Sequence, residues 1–182
     1  MSRDPRVRPW ARREAERVFS HPLFTMERQR VAAGDDERQV VVIHPTPWVN
    51  VIPLREDGHV VLVRQWRFGS ESPSLEIPGG VVDPGEAPQE AAQRELLEET
   101  GYRASRWSRL GAVHPNPAIM SNECTFFLAE GLEWVEEPRG DGDEEIVVES
   151  APLADVHGWI RSGEITHALV VAAFHYLSLR DR

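Results

Sequence analysis

Cysteine occurs once in the 182 residues, as Cys124. A lone cysteine excludes an internal disulfide and any multi-cysteine zinc site, and it favours a reducing compartment. Long apolar runs are missing too. The longest, Ala168 to Phe174, falls far short of the roughly 20 residues that span a bilayer. The opening stretch MSRDPRVRPWARREAE is charged throughout and has no apolar core, so it does not read as a secretory signal. Positive charge is in deficit, with 20 basic against 30 acidic residues and a formal net charge of −10. That balance argues against a nucleic-acid partner, which needs a clustered basic surface. No GxGxxG follows a strand-like run and no GxxxxGK occurs, which removes two familiar phosphate cradles. Internal repeats and low-complexity linkers are absent. The expectation is a cytoplasmic protein with neither a membrane nor a nucleic-acid partner, long enough for one sizeable core.

What is present alternates between two periodicities. RQVVVIHP reads as a strand, and WVNVIPLREDGHVVLVRQWRF reads as a hairpin turning at Asp57-Gly58. WSRLGAVHP, ECTFFLAE and EEIVVES read as further strands. Helical patterns follow Pro84-Gly85, cover LADVHGWIRSG, and run from an N-cap at Thr166 through HALVVAAFHYLSL. Hairpins mixed with separate helices predict an α+β (mixed α/β) fold rather than a doubly wound parallel sheet.

The most informative stretch is GGVVDPGEAPQEAAQRELLEETGY, Gly79 to Tyr102. Pro88 suits the first turn of a helix that runs to about Thr100, with Gly101 as its C′ residue. At about 100° per residue, Glu95, Glu98 and Glu99 share roughly a quarter of the circumference with Ala91, next to the apolar edge formed by Ala92 and Leu96. Like charges at this spacing repel. No lysine stands at a compensating position, so the cluster reads as oxygen ligands without basic partners, suited to a hard divalent cation such as Mg²⁺ or Mn²⁺.

The spacing of Gly80, Glu86, Arg94, Glu95, Leu96, Glu98, Glu99 and Gly101 resembles the Nudix signature, with Tyr102 where an aliphatic residue is more usual. This resemblance implies an α/β/α sandwich with a mixed sheet and a metal-dependent attack of water on a diphosphate. It implies Glu95 and Glu99 as principal metal ligands, Glu98 as ligand or orienting base, and the Gly79 carbonyl as a further ligand. Glu86 and Arg94 would brace the loop against the helix, Arg94 by pairing to a carboxylate. VRQWRFG and LEIPGG resemble ADP-ribose and nucleoside-diphosphate-sugar pyrophosphatases, as does Pro117, sixteen residues beyond Gly101. By that likeness Arg67 would hold the diphosphate or terminal ribose, and Pro117 would mark the substrate loop.

A glutamate from the acidic stretch EEPRGDGDEEIVV is the implied general base, with Glu144 first and Asp143 and Glu145 next. The resemblance further implies that residues 1–44 form extra strands that help to bind the base and exchange across a homodimer, with FTMERQRVAAGDDERQVVVIHP (Phe24 to Pro45) as a strand pair, leaving 45–182 as the hydrolase domain. Asn116 and Asn122 are read as turn formers ahead of sugar ligands, and Trp48 as packing ahead of base stacking. Cys124, His157, His167 and His175 are read as structural. The resulting expectation is a Mg²⁺-dependent hydrolase of ADP-ribose or a related nucleoside-diphosphate sugar. Hydrolysis of a damaged nucleoside triphosphate or a dinucleoside polyphosphate, or regulation without turnover, are the alternatives.

Overall fold

The computed structural model describes residue 4 and residues 6–139 and 145–180. It resolves two compact units, residues 1–46 with 116–122, and residues 47–115 with 123–182.

The first unit is an antiparallel meander of β1 (Ala11–His21), β2 (Phe24–Ala33) and β3 (Asp36–Pro45). The β2–β3 pair matches the strand pair expected over Phe24–Pro45. Ala33 opposes Asp36, so Gly34 and Asp35 form a two-residue loop, and Gly34 supplies the positive φ of 63° that such a turn needs. Strand β1 escaped sequence reading because ARREAERVFSH shows no apolar alternation. All eleven of its residues are exposed, so nothing in burial dictates a period of two. Residues 116–122 lie along β3. Ile43 N–H donates to the Ile119 carbonyl at 2.8 Å, and Ser121 N–H donates to the Ile43 carbonyl at 3.1 Å.

The second unit holds a mixed sheet in the order β10-β5-β4-β9-β8, comprising β4 (Trp48–Leu54), β5 (His59–Arg67), β8 (Tyr102–Val113), β9 (Cys124–Trp134) and β10 (Val147–Pro152). Two short strands flank it: β6 (Ser72–Glu76) on β5, and β7 (Gly79–Val81) on β4. The expected hairpin of β4 and β5 needs correction. Gly58 makes the turn at φ 78°, but the strands pair only at Leu54–Val60. Beyond that point β4 runs parallel to β9 and antiparallel to β7.

Alternation along the central strands serves two cores. Val49, Val51, Phe127 and Ala129 face helix α1 (Pro88–Thr100), through Ala91, Ala92 and Leu96. Ile52, Phe126 and Leu128 face the other layer, where α3 (Ala168–Ser178) contributes Leu169, Val170, Ala173 and Phe174. Trp48 is half-buried against this second core, alongside Trp159 of α2 (Val156–Ser162). This is the expected α/β/α arrangement around a mixed sheet. The start of α3 differs from the expected Thr166 cap. His167 occupies the N-cap with extended backbone and makes no side-chain capping bond. Among the described residues no helix is long and apolar enough to cross a membrane.

Candidate active site

Helix α1 begins at Pro88 and stops at Gly101, whose φ of 74° ends the helix in left-handed geometry. A Cβ on Gly101 would lie 1.9 Å from the Glu136 carbonyl, so the chain approaches there as only glycine allows. The helix packs its small alanines on β4 and lays its glutamates beside the glycine strand β7.

Gly80 owes its identity to that approach, and Gly79 to the close pairing of β7 with β4. A Cβ on Gly79 would stand 2.2 Å from the Val49 carbonyl, and one on Gly80 would stand 2.4 Å from Oε1 of Glu95. Gly79 N–H donates to Oε2 of Glu99 at 3.0 Å. Glu95 and Glu99 are therefore buried against β7 at 7% and 5% exposure, whereas the Glu98 side chain keeps 35% of its surface open.

Arg94 corrects the expectation of carboxylates without a basic partner. Its Nη1 donates to Glu95 Oε1 at 2.8 Å and to Glu98 Oε2 at 3.2 Å. Its Nε and Nη2 grip both oxygens of Glu86 at 3.1 and 3.0 Å, and Nη2 also donates to the Val81 carbonyl at 3.0 Å. One guanidinium thus joins the loop glutamate, two helix glutamates and the glycine strand. Arg94, expected to pair with one carboxylate, has a fork that reaches along the helix and back to the loop. Hydrogen bonding to Glu86, the strongest influence, together with Glu95 and Glu98, raises the Arg94 pKa despite burial. The same bond lowers that of Glu86, aided by the Asp83 N–H.

Among the described residues no three carboxylate, imidazole or thiolate side chains converge as a complete metal cage. The donor set nevertheless suits a hard divalent cation. One positive charge on Arg94 stands against three carboxylates it touches, so the group keeps a negative excess. Mg²⁺-like ions also need only one or two carboxylates when waters and substrate phosphates fill the remaining positions.

Arg67 is placed on Glu76, with Nε on Oε1 at 2.7 Å and Nη2 on Oε2 at 2.8 Å. Pro117 falls in the first unit, within the segment laid along β3. Asn122 of that segment donates from Nδ2 to the Thr46 carbonyl at 3.1 Å. Glu144 and Asp143 lie outside the described residues, and Glu145 is exposed. Cys124 is fully buried beneath Asn50, and burial pushes its thiol up to about 12. His157 and His175 are exposed, and His167 Nε2 faces Glu76 Oε2 at 4.0 Å. Sequence reasoning missed Glu76 altogether. Its one signal was a lone acid between the apolar Leu75 and Ile77.

Known proteins bear on this geometry. The NUDIX domain model matches residues 44–174. An ADP-ribose pyrophosphatase of Bacillus subtilis (strain 168) is 32% identical over 169 residues, covering 91% of each chain. The ADP compounds hydrolase NudE of Escherichia coli (strain K12) is 31% identical over 161 residues, covering 87% of this chain and 86% of its own. A crystal structure of an ADP compounds hydrolase superimposes with a TM-score of 0.82 at 27% identity, over 97% of this chain and 95% of that one. With the family model spanning most of the sequence and the glutamate helix seated on its glycine strand, the chain belongs to the Nudix hydrolase family.

Proposed function

We propose that the protein hydrolyses the diphosphate of ADP-ribose or a related nucleoside-diphosphate sugar, releasing a nucleoside monophosphate and a sugar phosphate. The observation that carries this reading is the seating of Glu95 and Glu99 against Gly79 and Gly80, with Glu98 at the open edge. The printed activities of the B. subtilis and E. coli relatives, each matched over most of its length, support the substrate class.

Nudix hydrolases generally need a divalent metal, and we assign Mg²⁺, with Mn²⁺ as the alternative ion. Glu95, Glu98, Glu99 and the Gly79 carbonyl are the groups that would hold it. A bound divalent cation would lower the pKa of water and offset charge on the diphosphate. In this reading Arg94 keeps Glu95 and Glu98 aligned while leaving an excess of negative charge to attract the ion. Glu98, the most open of the three, either ligates or orients the attacking water. Glu144 remains our candidate for the general base that takes the water's proton. Arg67, whose Nε and Nη2 lie on Glu76, would meet the diphosphate through its positive charge and the outward edge of its guanidinium, and Pro117 would belong to the substrate loop.

Residues 1–44 are assigned as a dimerisation and base-binding extension of a homodimer, with 45–182 as the hydrolase domain. The exposed apolar side chains of Phe19, Leu23 and Val41 support that assignment. We assign the protein to the cytoplasm, in keeping with its single cysteine.

The test is a panel of ADP-ribose, GDP-mannose, UDP-glucose, diadenosine polyphosphates and nucleoside triphosphates, each assayed with Mg²⁺ and with Mn²⁺. Monophosphate release is expected from ADP-ribose or another diphosphate sugar. Preferential cleavage of triphosphates would replace the substrate assignment, and inertness toward every compound would favour a binding protein.

A further inference from the structure

Glu76 is the most deeply buried carboxylate among the described residues: 1% of the residue and 2% of the side chain remain accessible. It ends β6, three residues before Gly79, in a segment pinned by the Val51 N–H on the Pro78 carbonyl at 2.8 Å and by the Asn50–Gly79 pairing. A charge in that position must be paired and hydrogen-bonded. The guanidinium of Arg67 does this with two parallel bonds of 2.7 and 2.8 Å. On the other flank stands the His167 ring at the start of α3, 4.0 Å away, with its Nδ1 buried and unpartnered.

Such a pair is a poor device for stability alone. Well-packed apolar residues of the same volume commonly serve as well or better, and Val63, directly opposite Glu76 on β5, is already fully buried. What the pair does supply is direction. A rigid carboxylate fixes the plane of a planar cation whose side chain still keeps 37% of its surface open.

We infer that Glu76 is the positioning residue for Arg67, holding its guanidinium in the orientation that receives the substrate diphosphate. This inference rests on the reading of Arg67 as a diphosphate contact and adds the residue that makes the contact directional. Glu76 touches no substrate and acts through Arg67, so its loss weakens substrate capture more than it slows the chemical step.

The test combines R67A, E76Q, E76D and the double variant R67A/E76Q in the full chain. Each is read by KM and kcat for ADP-ribose with Mn²⁺, by calorimetric binding of inorganic pyrophosphate, and by thermal unfolding. E76Q and R67A are each expected to raise KM about tenfold or more, the value of a lost charge-assisted bond, with kcat within about threefold. The double variant is expected to be no worse than R67A, because Glu76 acts only through its partner. E76D, which keeps the charge but draws it back, is expected to fall between E76Q and wild type.

Additive effects of R67A and E76Q would overturn the inference. So would an E76Q that unfolds at a lower temperature yet keeps its KM and its pyrophosphate affinity. If E76Q fails to fold, the comparison passes to E76D with R67A/E76D, and additivity there overturns the inference in the same way. The underlying reading fails separately. Wild-type protein inert toward ADP-ribose removes the assigned substrate, while matched loss of pyrophosphate binding in R67A and E76Q would still uphold the positioning role. R67A with normal KM and normal pyrophosphate binding would overturn both the diphosphate contact of Arg67 and the positioning role of Glu76.

Discussion

Gly80 and Glu95 stand so close that a single methyl group on the glycine would lie 2.4 Å from Oε1 and 2.6 Å from Cδ of the glutamate. The clash falls on the far end of a side chain, which can swing away without moving backbone. Gly80→Ala is therefore expected to fold, with a stability loss near 1 kcal/mol, and to lose at least tenfold in turnover because Glu95 is displaced. Gly79→Ala meets the Val49 carbonyl instead, at 2.2 Å. Backbone must then shift, and a destabilisation of about 3 kcal/mol or more is expected. Urea unfolding and steady-state kinetics on the two variants separate these effects. Equal loss of stability in both would contradict the geometry.

Glu98 and Glu99 differ in setting, one at the rim and one bonded to the Gly79 N–H. Glu98→Gln and Glu99→Gln are each expected to lower kcat by about 10²–10⁴ with native circular dichroism retained. Glu99→Gln should also weaken Mn²⁺ binding, measured by titration. Near-wild-type rates in both variants would remove these residues from the site.

Burial holds the His167 imidazole below its ordinary value of 6.5, and the nearby Arg67 charge acts in the same direction, while the Glu76 carboxylate pulls it upward. An unfolded chain therefore takes up a proton near pH 6.5 that the native protein still refuses. The stability contributed by the neutral ring is fully present above pH 6.5 and is lost as pH falls through the lower native value. Wild-type protein is expected to lose denaturant resistance as the pH falls below about 6.5, and His167→Gln is expected to flatten that part of the curve. An unchanged slope in the variant would assign it to other groups.

Cys124 lies fully buried with its thiol pushed up to about 12. Thiolate is the reactive form, so native protein is expected to resist iodoacetamide at pH 8 and to react promptly in denaturant. Cys124→Ser should keep native kcat and KM. Rapid native labelling, followed by mass spectrometry, would contradict this burial.

The glutamate helix was legible in the sequence because its spacing, its Pro88 start and its Gly101 stop are local features. The β2–β3 pair was legible for a similar reason, with Gly34-Asp35 between two strand-like runs. Strand β1 was not, because eleven exposed residues leave no buried period to detect. The pairing of β4 with β9 was hidden by distance along the chain, so the Asp57-Gly58 turn suggested a longer hairpin than forms. Within the site, Arg94 was read as a brace to one carboxylate, yet its fork spans three. Long flexible side chains reach partners that residue spacing does not encode. Glu76 was invisible for the opposite reason: its partner Arg67 stands nine residues away on a neighbouring strand, and only the folded sheet brings the two together.

The parallel register of β4 with β9, from Trp48 beside Cys124 to Leu54 beside Glu130, also dictates when the enzyme can come into being during synthesis. A nascent chain emerges with Val49, Val51 and Ile52 already made, but the neighbour that zips along their strand leaves the ribosome only after the whole glutamate helix and β8 have passed. Contacts between such distant stretches form late and slowly. Chains interrupted before Glu130 would therefore present sticky half-sheets to chaperones rather than a working core.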